Sequence, residues 1–321
     1  MEQSTVLVLT RPPELAVPAL FAQAGERAAK RLIEFFTAEI RNPNTRRAYA
    51  AAVTRFDAWC AARGFRLEAL TPVHVAAYVE VLGKELSKPS VKQHLAALRM
   101  LGDYLVVGQV IAHNPCAAVR GPKYVSKKGK TPVLSAEETR LLFTSIATDT
   151  IGGLRDRALI GVMAYSFARI GAVVAMDVGD YYQQGKRWWL RLHEKGGKHH
   201  EVPAHHLVQD YLDAYLAGAG LGAGAKGPLF RTLDRRRQLT ATRLSAREAL
   251  AMVKRRTRAA ELGDRICCHS FRATGITNFL ENGGTLEKAQ QIAAHESPKT
   301  TKLYDRTSDQ LTLDEIERIR F

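Results

Sequence analysis

Apolar residues recur every three or four positions through most of the chain, which predicts helices wherever capping residues bound the pattern. From Glu26 to about Gly108 four such helices are expected. The first sets Ala29, Ile33, Phe36 and Ile40 on one face. The second, capped by Asn44, does the same with Tyr49, Val53, Phe56 and Cys60 before Gly64 ends it. Thr71-Pro72 opens the third, and Ser90 with Gln93 forms a capping box for the fourth, whose stripe is Val91, Leu95, Leu98, Leu101 and Leu105. These helices predict a small bundle over residues 28–117. Residues 1–27 hold Pro12, Pro13 and Pro18 among apolar residues without a clear period and read as an N-terminal arm of unknown order.

The pattern breaks over residues 118–132, where Arg120, Lys123, Lys127, Lys128 and Lys130 meet no acid and Gly121, Pro122 and Gly129 interrupt any period. This segment reads as a basic linker. A second domain, residues 133–305, opens on a capping box of Ser135 and Glu138, followed by a helix from about Leu154 to Phe167. Arg187 to His193 then alternates with period two, Glu194-Lys195-Gly196-Gly197-Lys198 reads as a hairpin turn, and a short strand follows through Val202. Helices resume near Leu207 and again after Ser245, which caps with Glu248. The fold class is therefore mainly α with a small β-sheet, in two domains that a chain of 321 residues readily supports.

Charge sharpens this picture. Lys and Arg exceed Asp and Glu by 15, an imbalance that points to a polyanion such as nucleic acid. The excess is uneven: between Arg231 and Arg258 ten basic residues face only Asp234 and Glu248. Lys123, Lys127, Lys128 and Lys130 of the linker, with Arg243, Lys254, Arg255 and Arg256, are the expected DNA contacts. No apolar run approaches the roughly 20 residues needed to span a bilayer, so no membrane role and a cytoplasmic location are expected. Cys60, Cys116, Cys267 and Cys268 show no C-x-x-C spacing and are expected to be reduced and mostly buried. His199, His200, His205 and His206 read as a solvated strand edge, and no metal is expected.

The candidate chemistry lies near the C-terminus. His269 and Arg272, three residues apart, share one helical face, with Phe271, Ile276 and Phe279 directed into the domain. Gly283-Gly284 stop that helix, and Thr285 starts another with Leu286, Ala289, Ile292 and Ala293 buried and His295 just past its end. Ser297-Pro298 begins a further turn that delivers Tyr304. In this joint spacing (His269-Ser-Phe-Arg272, Ala293-Ala-His295, Leu303-Tyr304) the chain resembles the tyrosine recombinase (phage integrase) family over about residues 28–306. Arg169, eleven residues before Asp180, matches the family's first arginine, and Lys195 its hairpin lysine. Two departures stand out. The family usually has Thr-Gly-Leu-Arg followed by x-x-Glu, where this chain has Ser166-Phe167-Ala168-Arg169 and then Ile170-Gly171-Ala172. Ala294 replaces a common glycine before the last histidine, a change expected to be harmless.

The resemblance implies an N-terminal helical core-binding (SAM-like) domain and a mixed α/β catalytic domain that together form a C-shaped DNA clamp. It implies a site-specific recombinase or integrase of a mobile element, acting without metal, ATP or other cofactor through a 3′-phosphotyrosyl intermediate. Arg169 and Arg272 would clamp the phosphate, since guanidinium forks match its oxygens. Tyr304 would be the nucleophile, His269 its base, His295 an orienting group and Lys195 the general acid, with Lys198 as fallback. The implied partners are double-stranded DNA bearing a specific site, three further copies in a tetramer on DNA, and accessory DNA-bending proteins. Residues 306–321, with Thr312 and Glu315 as a capping box and Leu313, Ile316 and Ile319 on one face, form a tail that the family would dock on a neighbouring protomer. The competing functions are a type IB topoisomerase, a catalytically silent DNA-binding regulator and a basic scaffolding protein. The helical N-terminal domain and tail argue against the first, and the six candidate catalytic residues argue against the others.

Overall fold

The computed structural model describes residues 17–125, 129–194, 199–222 and 224–305, which fall into two compact units divided between Val125 and Ser126. The N-terminal unit comprises α1 (Ala19–Gln23), α2 (Glu26–Glu34), α3 (Pro43–Ala61), α4 (Pro72–Glu85) and α5 (Lys88–Val107). Its core joins Leu32, Phe35 and Phe36 to Val53, Phe56, Tyr78, Leu82, Leu95, Leu98 and Leu101. The part of the expected arm from Ala19 onward is a helix that buries Leu20 and Phe21 in this core.

Three sequence expectations shift here. The first long helix buries Ala28, Leu32, Phe35, Phe36 and Ile40, while Ile33 is exposed. The cause is a π-helical turn over Phe35–Glu39, in which the Ile40 amide bonds to the Phe35 carbonyl and brings both residues to the same side. Asn42, not Asn44, caps α3: its side chain accepts from the amides of Asn44 and Thr45, and Pro43 occupies the first helical position. The cap of α5 is likewise Ser87, with Lys88-Pro89 in the first turn; Ser90 only shares a hydroxyl contact with Ser87.

The C-terminal unit comprises α6 (Ala136–Ser145), α7 (Ile151–Tyr165), α8 (Ile170–Ala175), β1 (Tyr181–Gln184), β2 (Arg187–His193), β3 (His199–Pro203), α9 (His206–Gly218), β4 (Arg231–Leu233), β5 (Leu239–Arg243), α10 (Ala246–Ala259), α11 (Cys268–Glu281), α12 (Leu286–Ile292) and α13 (Pro298–Lys302). The strands form an antiparallel β1-β2-β3 sheet and a separate β4-β5 hairpin. Helix α7 is the axis of the unit, buried on nearly every side and packed against α9 and α11. The expected capping boxes of Ser135 with Glu138 and Ser245 with Glu248 are both formed. All four cysteines are free thiols, three of them buried.

Asp156 ties α7 to α10. This fully buried carboxylate accepts hydrogen bonds from Arg155, Arg255 and Arg256. Such a pair is expensive to break, because losing the partners would strand a buried charge. Arg243 is drawn to the carbonyls of Val174 and Met176 and to Asp177, and Lys254 bonds to the carbonyl of Asp264. Each of the four cations expected to face DNA from this region thus also has a partner within the fold, Arg255 with its side chain still 60% exposed. Among the described residues no helix is long and apolar enough to cross a membrane, and no group of His, Cys, Asp or Glu could hold a metal ion.

Candidate active site

Helix α11 places His269 and Arg272 one turn apart, as their spacing requires. The Cys267 side chain and Ser270 cap its start reciprocally. Gly275, on the same helix, permits close approach to α7: a Cβ there would sit 2.0 Å from the Ala164 carbonyl oxygen and 2.8 Å from the Phe167 ring. Arg272 is 1% exposed, one of the largest wholly buried side chains. Its Nη1 donates to the Phe167 carbonyl and its Nη2 to the Ala293 carbonyl at 2.6 Å, while its buried Nε has no partner. Two backbone acceptors thus fix the plane of the guanidinium and leave donor capacity unspent. Burial and the neighbouring Arg169 lower its pKa to about 10, which keeps it charged at neutral pH.

One of those acceptors, Phe167, and the residue that follows the other lie in unusual backbone. Phe167 has φ +54° and Ala294, next to Ala293, has φ +47°, in the left-handed region that favours glycine. They stand at the two positions where the resembling family commonly has glycine. Ala294 is thus not harmless: a Cβ in this conformation costs roughly 1–2 kcal/mol. At Phe167 the ring offsets such a cost by packing with Ala273, Ile276, Phe279 and Tyr304.

Short α13, capped by Ser297, delivers Tyr304. The Thr277 hydroxyl on α11 donates to the Tyr304 carbonyl at 3.0 Å, and the Gly129 amide donates to the Leu303 carbonyl at 2.9 Å. The Tyr304 hydroxyl and His269 Nε2 lie 2.7 Å apart, and the His295 ring stacks on the phenol with centroids 5.8 Å apart and planes within 10°. His295 Nδ1 in turn meets the Thr301 hydroxyl at 2.9 Å. Burial, reinforced by Arg272 and Arg169, pushes both histidines below the ordinary imidazole range, His295 to about 4. Both are therefore neutral at pH 7. Burial raises the Tyr304 pKa, and the two guanidiniums oppose that rise.

Arg169 completes the group from the N-cap of α8. Its side chain is 43% exposed, and its Nη1 meets Glu194 Oε2 at 2.7 Å. Five of the six expected catalytic residues thus converge on one centre. The sixth, Lys195, lies outside the described residues, as do Lys198, Lys127, Lys128 and the tail from Arg306 onward. Sequence reasoning missed Glu194, Thr301 and the Phe167 and Ala293 carbonyls. Only Glu194 carried any signal, its adjacency to Lys195.

Comparison with known proteins identifies the family. Residues 132–310 match the family described as "Phage integrase family", and residues 32–108 match "Phage integrase, N-terminal SAM-like domain". The chain is 30% identical over 281 residues to tyrosine recombinase XerD of Corynebacterium glutamicum, a match spanning 84% of this chain and 89% of that protein. Among solved structures, a post-cleavage complex of the XerH site-specific recombinase bound to palindromic difH substrate has a TM-score of 0.71 at 19% identity, covering 91% of this chain and 88% of that one. A lambda integrase tetramer bound to a Holliday junction has a TM-score of 0.65 at 17% identity, covering 88% and 78% respectively. At those identities the solved structures establish the fold; the sequence matches establish that this chain belongs to the phage integrase family and is a site-specific tyrosine recombinase.

Proposed function

We propose that the chain cleaves and rejoins double-stranded DNA at a specific site by forming a 3′-phosphotyrosyl link through Tyr304. The observation that carries this reading is the 2.7 Å contact between the Tyr304 hydroxyl and a neutral His269 beside a buried, charged Arg272. A phenol whose pKa is raised by burial is almost wholly protonated at neutral pH, so attack requires proton removal, and His269 is placed to accept that proton. The tyrosyl oxygen then bonds to phosphorus and the 5′-oxygen departs, taking a proton from Lys195. Negative charge gathering on the non-bridging oxygens meets the Arg169 and Arg272 forks. His295, held by Thr301, braces the tyrosine face. The phosphotyrosyl bond retains the energy of the bond it replaces, so another strand's 5′-hydroxyl reverses the step without ATP or metal.

The same reading assigns residues 28–117 to core DNA binding, residues 133–305 to catalysis, and the linker cations Lys123, Lys127, Lys128 and Lys130 to the phosphate backbone. We further assign the tail, residues 306–321, to a neighbouring protomer in a DNA-bound tetramer of the kind named for lambda integrase. An apolar groove of about 840 Å³ in the catalytic unit, walled by Phe143, Tyr165, Tyr211 and Phe279, offers a seat for its Leu313, Ile316 and Ile319 stripe. Accessory DNA-bending proteins and a mobile-element origin belong to this reading as well.

The test uses the full chain with nicked suicide DNA in EDTA. A detergent-resistant protein–DNA adduct is expected, and Tyr304→Phe should abolish it. No adduct from the wild type, or an undiminished one from the variant, would contradict the reading. Sedimentation of a tail-deleted chain on DNA checks assembly: an unchanged tetramer counts against docking in trans.

A further inference from the structure

Arg169 poses a positioning problem that its own helix does not solve. It caps α8, whose sequence Ile170-Gly171-Ala172-Val173-Val174-Ala175 holds no acid, and its side chain is about half exposed. The next carboxylates along the chain are engaged elsewhere: Asp177 pairs with Arg243, and Asp180 pairs with His193 and Arg191. Glu194 is different. It follows the last residue of β2, its side chain is 8% exposed, and it meets Arg169 at 2.7 Å. A carboxylate this buried is tolerated only when paired.

We propose that Glu194 is the positioning residue for Arg169: an anchor supplied by the end of β2 that holds one edge of the guanidinium and leaves the rest of the fork for phosphate. The assignment rests on the catalytic reading of Arg169 given above. Chemistry explains why an acid is needed. Arg272 and Arg169 are like charges sharing one site, and Arg169 lowers the pKa of Arg272 while Glu194 acts in the opposite sense. Without phosphate, the Glu194 carboxylate offsets the mutual repulsion that would swing the exposed arginine toward solvent. With phosphate present, the carboxylate still fixes Nη1, so the remaining donors arrive already oriented. Strand β3 closes the other side of this region: His200 Nε2 meets the Ile292 carbonyl at 2.9 Å, one residue before the carbonyl that accepts from Arg272. Glu194 also immediately precedes Lys195 in sequence, so the residue that anchors the clamp adjoins the proposed general acid.

The experiment is a double-mutant cycle on single-turnover cleavage of the suicide DNA by the full chain, followed for hours, with DNA affinity and thermal stability measured alongside. Glu194→Ala should slow adduct formation about 10- to 100-fold, as loss of an outer-shell partner does at metal sites, while DNA affinity changes less than about threefold. Glu194→Gln, which keeps an acceptor oxygen, should recover part of that loss. In an Arg169→Ala background, Glu194→Ala should have almost no further effect, because the residue acts through the arginine. An equal loss in both backgrounds, or an unchanged rate for Glu194→Ala, overturns the assignment. Failure of the wild type to form any adduct sinks the catalytic reading instead, and this inference with it.

Discussion

Arg272 and Arg169 stand at one centre but are held there by different physics. Arg272 is embedded in the core, its plane set by two backbone carbonyls and its helix locked against α7 by a glycine contact. Arg169 projects from a helix N-cap toward solvent, held by a single carboxylate. One half of the site is thus a product of folding, and the other of a local ion pair. The difference predicts that equal damage to catalysis will come with unequal damage to stability.

Replacing either arginine by alanine should slow suicide-substrate cleavage by roughly 10²- to 10³-fold, the usual cost of losing a preorganised donor. Arg272→Ala should destabilise the chain by about 3 kcal/mol, because the Phe167 and Ala293 carbonyls lose their buried donor, and Arg169→Ala by less, because the Glu194 carboxylate it leaves unpaired borders a half-exposed position that water can enter. Chemical denaturation of both variants checks this; equal stability loss would erase the distinction.

Acid tests the buried half next. His269 has a folded pKa below its ordinary value, so its base form persists above pH 6.5 and is lost below it. Single-turnover cleavage should therefore stay flat from pH 8 to 6.5 and fall at lower pH; a midpoint above 6.5 would count against His269 as base. His295, lowered to about 4, contributes stability present above its ordinary pKa of 6.5 and lost as pH falls through 4. Thermal melts of the wild type over that window should show the loss, and His295→Gln should flatten it.

Gly275→Ala should cost about 2 kcal/mol, since its Cβ would collide with the Ala164 carbonyl and press the Phe167 ring away from the Arg272 anchor. Ala294→Gly should do the reverse on a smaller scale. Relief of the left-handed alanine, less the entropy of glycine, leaves a gain of about 0.5 kcal/mol, readable as a slightly higher melting temperature.

What could be read in advance followed the range of the interactions. Ser135 with Glu138 and Ser245 with Glu248 mark helix starts because both partners lie within four residues. His269 and Arg272 share a face for the same reason. The misplaced caps at Asn44 and Ser90 were decided by prolines at 43 and 89, which belong in a helix's first turn and move each cap upstream. The exposed Ile33 could not be foreseen, because a π-helical turn shifts the helical phase by one residue without a sequence mark. Contacts such as Glu194 to Arg169, or Asp156 to Arg255 and Arg256, join residues 25 to 100 positions apart and belong to the fold alone.

The most direct test of the whole account is where the DNA becomes attached. Wild-type protein trapped on suicide DNA, digested with nuclease and trypsin and read by mass spectrometry, should carry its nucleotide remnant on the peptide Leu303-Tyr304-Asp305-Arg306, with the modification on Tyr304. A remnant on any other tyrosine or serine, with that peptide unmodified, would contradict it.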